Sequence, residues 1–136
     1  MSIYAVIDTN VIVSGLLTHN DDSATYLILK KLYNKELVPI YNEEILFEYY
    51  DVLTRSKFNF TKDVIIKLIR AILQYGIYIL NNHINEKIID EGDKVFYETL
   101  IGSNFENCFL ITGNLKHFPS KDNILSPREF ISYLSN

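Results

Sequence analysis

Short apolar runs alternate along this chain with longer segments of helical periodicity, and this alternation most constrains the fold. The runs predict strands at residues 3–7, 37–41, 77–80, 108–111 and 124–125. Helical patterns cover residues 23–33, 43–53, 61–75, a segment that opens at Asp90, and residues 126–134. Such alternation predicts an α/β fold, a three-layer α/β/α sandwich whose central, mostly parallel sheet has about four to five strands.

Polar and special residues mark the expected ends of these elements. Asn42, Thr61 and Asp90 are candidate N-caps, and Gly76 is expected to end the long helix in the C′ position. The segment SPRE at 126–129 has cap, N1 proline and N3 glutamate in the order of a capping box. Pro39 indicates a strand start or an edge position. The long helix is predicted to bury Val64, Ile65, Leu68, Ile69, Ile72 and Leu73.

The composition is typical of one globular domain over residues 1–136. Hydrophobic residues make up 48% and charged residues 22%, which excludes disordered and fibrous classes. Cys108 is the single cysteine, so it forms no internal disulfide, and its apolar neighbours predict a buried thiol. We find no internal repeat or low-complexity segment, and we therefore expect a single core.

Charge and hydropathy bound the location and the partners. The N-terminal residues lack a basic leader, and no apolar run is long enough to cross a bilayer, so we expect a cytoplasmic protein with no membrane partner. The net charge of −4 is the wrong sign for a broad basic surface that binds nucleic acid. Acids gathered around a cation would account for part of this balance.

Several acids stand where predicted elements begin or end. Asp8 follows the first strand, in a sheet whose strand ends are the usual ligand-binding edge, but it could instead cap the next helix. Glu44 and Asp90 could serve as first-turn and capping residues. Glu48 is harder to explain structurally, because positions 44 and 52 offer it no basic partner. Asp93 lies in the first turn of its helix.

A convergence of Asp8, Glu48 and Asp93 would create a metal site. Their mutual repulsion would have to be relieved by protonation or by a cation, and hard oxygen ligands favour Mg²⁺ or Mn²⁺ over zinc. Such a site supports phosphodiester hydrolysis by metal-activated water, without a side-chain nucleophile. Spacing alone does not establish the convergence, because acids so far apart in sequence can lie anywhere in a fold.

Four segments, in order, resemble the motifs of the PIN domain family. They are AVIDTNV at 5–11, NEEILFEY at 42–49, DEGDKVFY at 90–97 and LITGNLKHFP at 110–119. The chain looks most similar to the VapC-like ribonucleases, the PIN proteins described as toxin components of toxin–antitoxin pairs. The resemblance implies metal-dependent cleavage of single-stranded RNA, with Asp8, Glu48 and Asp93 as catalytic metal ligands.

The same resemblance assigns roles to further residues. Asn114 takes a catalytic position where many relatives carry a fourth aspartate, which leaves a neutral ligand or a water holder. Residues expected to orient the acids or a water molecule are Thr9, Asn10, Glu44, Asp90 and Thr112. Residues that could contact phosphates, or be ordinary surface charges, are Arg55, Lys57, Lys116 and His117. His117 could also protonate the leaving group, or simply pack beside Phe118 and Pro119.

Three functions therefore remain open from the sequence. The first is an endoribonuclease that requires Mg²⁺ or Mn²⁺, and the second is a catalytically weak module that binds RNA or a partner. The third is a structure-specific DNA nuclease that uses the same acids. The resemblance also implies a homodimer and, for a toxin, inhibition by a small antitoxin protein.

Overall fold

The computed structural model describes residues 2–84 and 91–136, which contain one parallel sheet of five strands in the order β3-β2-β1-β4-β5. The strands are β1 (Tyr4–Ile7), β2 (Val38–Tyr41), β3 (Ile77–Tyr78), β4 (Cys108–Ile111) and β5 (Ile124–Leu125). All residues of β4 and most of β1 are buried, so helices cover both faces of the sheet. The predicted α/β fold is confirmed.

Six α-helices surround the sheet within the described ranges. They are α1 (Thr9–Leu17), α2 (Ala24–Tyr33), α3 (Glu43–Leu53), α4 (Lys62–Tyr75), α5 (Glu91–Ser103) and α6 (Pro127–Ser135). Two short 3₁₀ helices lie at Ser56–Phe58 and Leu115–His117. None of these helices has the length and apolar character needed to cross a membrane. The predicted cap at Asp90 lies outside the described residues.

One helix, α1, is missing from the predicted elements. It begins at Thr9 directly after β1, and its β-branched residues and Gly15 have low helix propensity, which hides it from a reading of local pattern. Gly15 is needed for packing, because a Cβ there would lie 2.7 Å from the Leu29 side chain and 2.8 Å from the Thr25 carbonyl oxygen. Tertiary contact with α2 therefore stabilises a segment of weak local preference.

Around Gly76 the structure differs from two predictions, the conformation of this glycine and the end of the strand that follows it. Gly76 ends α4, but its φ of −89° is extended rather than left-handed, so it is not the predicted C′ glycine. A glycine is required by space, because a Cβ would lie 2.5 Å from the Ile72 oxygen and 2.6 Å from the Pro39 oxygen. The following strand ends at Tyr78 rather than at position 80. Pro39 is the second residue of β2, near the strand start and away from the sheet edge.

The expected caps and the core face of α4 largely agree with the structure. The Thr61 side chain accepts a hydrogen bond from the Val64 amide, and Ser126 and Glu129 form a capping box at α6. The buried residues of α4 are Ile65, Leu68, Ala71 and Ile72. Leu73 was expected to be buried but is 50% exposed, since it lies at the edge of the apolar stripe.

A buried asparagine joins the elements that carry the candidate site. The Asn42 Oδ1 atom accepts from the Ile45 amide at 3.0 Å and so caps α3 as predicted. Its Nδ2 atom donates to Thr99 Oγ1 of α5 at 2.9 Å and to the Ile79 oxygen after β3 at 3.1 Å. Because the Asn42 residue is buried, these bonds hold α3 and α5 in fixed relation.

We predict that Asn42→Ala lowers the free energy of unfolding by about 2 kcal/mol or more, because it removes a helix cap and leaves buried partners unsatisfied. Urea denaturation of the wild type and the variant measures this loss. Thr61→Ala is the matched control, since it removes an exposed cap and should cost only about 1 kcal/mol. Equal losses in the two variants would contradict the bridging role of Asn42.

Candidate functional site

The candidate site lies at the carboxyl ends of β1 and β4, the central strands of the sheet. The backbone amide of Asp8 donates to the Ile111 oxygen at 2.9 Å, which places Asp8 beside Thr112 although the two are far apart in sequence. Ligands of parallel α/β sheets bind at this edge, where loops and helix starts follow the strands.

Asp8, Glu48 and Asp93 line a single cavity of about 570 Å³. Asp8 follows β1, Glu48 lies in α3, and Asp93 lies in the first turn of α5. The other lining residues are Thr9, Asn10, Val13, Ser14, Leu17, Thr18, Val52 and Phe58. Acids from three separate segments of the chain thus share one cavity.

The Asp8 carboxylate is buried and held by hydrogen bonds. Thr112 Oγ1 donates to Asp8 Oδ2 at 2.7 Å, and Asn10 Nδ2 donates to the same oxygen at 3.2 Å. Asn10 Oδ1 in turn accepts from the Gly113 amide at 3.1 Å. Although Asp8 precedes α1, its side chain makes no capping hydrogen bond. The Asp8 carboxylate lines the cavity, and the Thr9 and Asn10 amides lie near enough to lower its pKa.

Burial raises the pKa of Asp8 from 3.8 to about 6. The hydrogen bond from Thr112 opposes this rise, and the nearby charge of Asp93 adds to it. Burial also raises the pKa of Glu48, while Arg55 lowers it and Asp51 raises it further. Ionisation of either carboxyl is therefore costly, chiefly because each is removed from water.

The remaining two acids have different partners. The Thr9 hydroxyl lies 3.5 Å from Glu48 Oε2, a long contact. Asp93 Oδ2 lies 2.7 Å from His117 Nδ1, a short hydrogen bond that joins α5 to the turn after β4. The expectation that His117 only packs beside Phe118 and Pro119 therefore misses its main contact. His117 orients one oxygen of Asp93.

Several candidate residues lie away from the cavity. Asn114 and Lys116 are exposed and line a neighbouring depression of about 290 Å³ with His117. The Glu44 carboxylate accepts from Asn81 Nδ2 at 3.2 Å and lies 3.3 Å from His83 Nε2. Glu44 shares a separate depression with Glu48 and does not line the cavity that contains Asp8. Asp90, proposed as a positioning residue, lies outside the described residues.

The two cations after α3 stand close to the cavity. Arg55 pairs with Asp51 at 3.3 Å and is near enough to Glu48 to lower the pKa of that acid. The Lys57 ammonium lies 5.1 Å from the centroid of the Phe58 ring, and Phe58 lines the cavity. Arg55 and Lys57 therefore lie beside the cavity, Arg55 paired with Asp51 and Lys57 packed on Phe58.

Two residues of this region had no predicted role. Phe58 lies in the short connection between α3 and α4, where an aromatic residue outside the regular helices is a signal of a local contact. Glu98 of α5 is only 2% exposed and accepts from the Ile84 amide at 2.7 Å and from Asn81 Nδ2 at 3.2 Å. The sequence does not indicate these partners, because they come from a loop that is distant from Glu98 along the chain.

The residues fit a divalent cation in chemistry and charge. Among the described residues the lining offers three carboxylates and no Lys, Arg or His, while Arg55 and His117 act on Glu48 and Asp93 from beside it. No three or more His, Cys, Asp or Glu side chains within 2–84 and 91–136 form a ready metal cluster. Hydrogen bonds from Thr112 and His117 hold Asp8 and Asp93 in this arrangement.

Residues 4–116 of this chain match the family model described as PIN domain. The chain belongs to the PIN domain family. No curated protein sequence matches it. PIN domains are generally nucleases that use divalent metal ions, which agrees with an acidic cavity at the strand ends. The matched range includes all three acids and ends at Lys116, just before His117.

We predict that His117→Ala weakens Mn²⁺ binding by this PIN domain about tenfold, because it releases the carboxylate that His117 orients. Isothermal titration calorimetry of the wild type and the variant gives both affinities. Lys116→Ala is the matched control, since Lys116 is the neighbouring exposed residue and does not contact Asp93. Unchanged Mn²⁺ affinity in His117→Ala, with a native melting temperature, would refute the positioning role.

Proposed function

We propose that this PIN domain is an endoribonuclease that cleaves single-stranded RNA and requires Mg²⁺ or Mn²⁺. The observation that carries the proposal is the convergence of Asp8, Glu48 and Asp93 on one cavity at the carboxyl end of the sheet. The family supports nuclease activity with divalent metal, and the choice of RNA rests on the resemblance to VapC-like proteins.

The metal ligands in this proposal are Asp8, Glu48 and Asp93. The cation would supply a water of lowered pKa, orient the phosphodiester and neutralise charge on the leaving oxygen. The protein holds the acids in place: Thr112 and Asn10 fix the Asp8 carboxylate, and His117 fixes that of Asp93. Asn42 keeps α3 and α5 in register through Thr99. No side-chain nucleophile is required.

The acids also favour a cation for an energetic reason. The pKa of Asp8 is raised to about 6 because its charge is buried and faces Asp93. A divalent cation would relieve both effects, since it stabilises the ionised carboxylates. It would also allow a protein of net charge −4 to hold a phosphate inside an acidic cavity.

The substrate class is tested by comparing nucleic acids under one set of conditions. Purified wild type and Asp93→Asn are incubated with labelled single-stranded RNA, single-stranded DNA, duplex RNA and a flapped DNA duplex, each with Mg²⁺ or Mn²⁺. We expect cleavage of single-stranded RNA by the wild type only. Preferred cutting of the flapped DNA would establish the DNA nuclease instead.

A binding module is the second candidate function. The observations that favour it are the exposed Asn114, outside the cavity, and the lack of a ready metal cluster among the described residues. A binding module would retain RNA in a filter-binding assay with either metal and leave it intact. Metal-dependent cleavage that Asp93→Asn abolishes would exclude this candidate.

The cellular role proposed from the same resemblance is that of a toxin, held inactive by a small antitoxin protein and active as a homodimer. Expression of the wild type without its partner should arrest growth, while expression of Asp93→Asn should not. Light scattering of the purified protein measures the oligomeric state. Normal growth during wild-type expression, with RNA cleavage confirmed in vitro, would separate nuclease activity from toxicity.

A further inference from the structure

We propose that the apolar side of the acidic cavity is a subsite for one unpaired nucleobase next to the cleaved phosphodiester. This apolar wall consists of Val13, Leu17, Val52 and Phe58. The inference rests on the proposed nuclease function and adds to it the part of the nucleotide that the protein recognises.

The cavity has two chemically different sides. Asp8, Glu48 and Asp93 provide the polar side, which suits a cation and a phosphate. The apolar wall has no use in hydrolysis, because no water, metal or phosphate binds to hydrocarbon. Yet Leu17 of this wall is 46% exposed, so the fold leaves apolar surface beside a charged site. A ligand with an apolar face attached to a phosphate matches both sides.

Phe58 is held in a defined position on this wall. Its ring stacks on Phe60 with 5.6 Å between centroids and an interplanar angle of 17°. The short 3₁₀ helix Ser56–Phe58 brings it next to α3, where Val52 continues the wall. Phe60 and Lys57 occupy part of the ring, and the part that lines the cavity is a contact that any nucleobase can use, because every base has an apolar face.

Two cations beside the cavity, Arg55 and Lys57, suit a second phosphate group of the RNA. Lys57 lies over the Phe58 ring at 5.1 Å, and Arg55 acts on Glu48 while its side chain is 50% exposed. These cations can contact a phosphate adjacent to the one held by the acids. Acids, apolar wall and cations thus lie side by side, which suits a phosphate, its base and a neighbouring phosphate.

The wall also gives a physical basis for selecting single strands. A base in a duplex is stacked and paired and must be freed at an energetic cost, whereas an unpaired base reaches the wall without this cost. A protein segment could also cover apolar residues, but a base linked to the phosphate at the acids reaches the wall through its own covalent structure. The nucleobase is therefore the expected occupant of the apolar wall.

Kinetics of two wall variants test the subsite. Phe58→Ala and Leu17→Ala are expected to raise KM for single-stranded RNA about tenfold and to change kcat by less than about threefold, since they remove base contacts and leave the acids intact. Phe47→Ala is the matched control, because Phe47 is a 72% exposed aromatic residue of α3 that lies outside this cavity. Melting curves verify folding, and Leu17→Ala serves if Phe58→Ala unfolds.

A modified substrate links the wall to the base. A single abasic nucleotide beside the cut position should lower kcat/KM of the wild type about tenfold but affect Phe58→Ala much less, because that contact is already lost. The proposal would be overturned by wild-type KM values in both wall variants or by an equal rise in KM in Phe47→Ala. It would also be overturned if the wild type cleaved abasic RNA with an unchanged kcat/KM.

A binding assay keeps this inference separate from the proposed function. An RNA oligonucleotide containing 2-aminopurine is mixed with the wild type and with Phe58→Ala in the presence of Mg²⁺. Quenching that requires Phe58 supports the base subsite even if the protein cleaves nothing, and only the nuclease proposal then fails. Equal fluorescence with both proteins shows that no base stacks on the wall, whatever the cleavage assay gives.

Discussion

Replacing Asp93 by asparagine is expected to lower metal-dependent RNA cleavage by more than about a hundredfold. The change keeps the size of the side chain and an oxygen that His117 can contact, but it removes one of three charges facing the cavity. Loss of partners that only orient metal ligands typically costs 10- to 100-fold, so loss of a ligand charge should cost more. Cleavage rates at saturating Mn²⁺ measure the effect.

Glu91→Gln is the matched control for this substitution. Glu91 and Asp93 both lie in the first turn of α5, so either change removes a charge that the helix dipole favours. Glu91 is exposed and does not line the cavity. We expect near wild-type cleavage from Glu91→Gln, and similar activity in both variants would show that Asp93 acts through helix stability or that another residue holds the metal.

Asp8→Asn is expected to stabilise the metal-free protein at neutral pH. The pKa of Asp8 rises from 3.8 to about 6 on folding, so the folded protein binds this proton more tightly than the unfolded chain does. The wild type should therefore lose stability as the pH rises from 3.8 to about 6. The full shift corresponds to about 3 kcal/mol. The asparagine variant lacks this loss, because it has no proton to release.

Urea denaturation in chelator at a series of pH values measures the difference between Asp8→Asn and the wild type. Subtracting the two profiles cancels the titration of the acids that do not interact with Asp8. The free energy of unfolding of the variant should exceed that of the wild type by an amount that grows through this pH range and persists at higher pH. Added Mn²⁺ should reverse this difference by stabilising the wild type only. Parallel profiles, or a variant that is less stable in chelator at neutral pH, would contradict an electrostatic cost at Asp8.

The parts of the fold that follow local rules could be predicted from the sequence. The strand Cys108–Ile111 and the capping box at Ser126 are each set by a few adjacent residues, and both were predicted at the right positions. The helix α1 was missed because it depends on α2 packing against Gly15. The conformation of Gly76 was also wrong, since its cause is the nearby Pro39 oxygen from another strand.

The same distinction holds for the candidate site. The position of Asp8 at a strand end follows from the local pattern, but its proximity to Asp93 depends on how α5 crosses the sheet. The pairing of His117 with Asp93 and the place of Phe58 in the cavity are long-range contacts without a local signature. The resemblance to the family motifs predicts that Asp8, Glu48 and Asp93 lie together, which local patterns do not.

Metal titration in a cleavage assay tests the central claim most directly. Wild-type protein, stripped of metal and freed of contaminating nucleases, is mixed with labelled single-stranded RNA while Mn²⁺ or Mg²⁺ is added. The acidic cavity predicts no cleavage in chelator and a cleavage rate that saturates with either metal. The rate should fall to zero when chelator is added again. Intact RNA at every metal concentration, or equal cleavage with and without chelator, would contradict a metal-dependent ribonuclease.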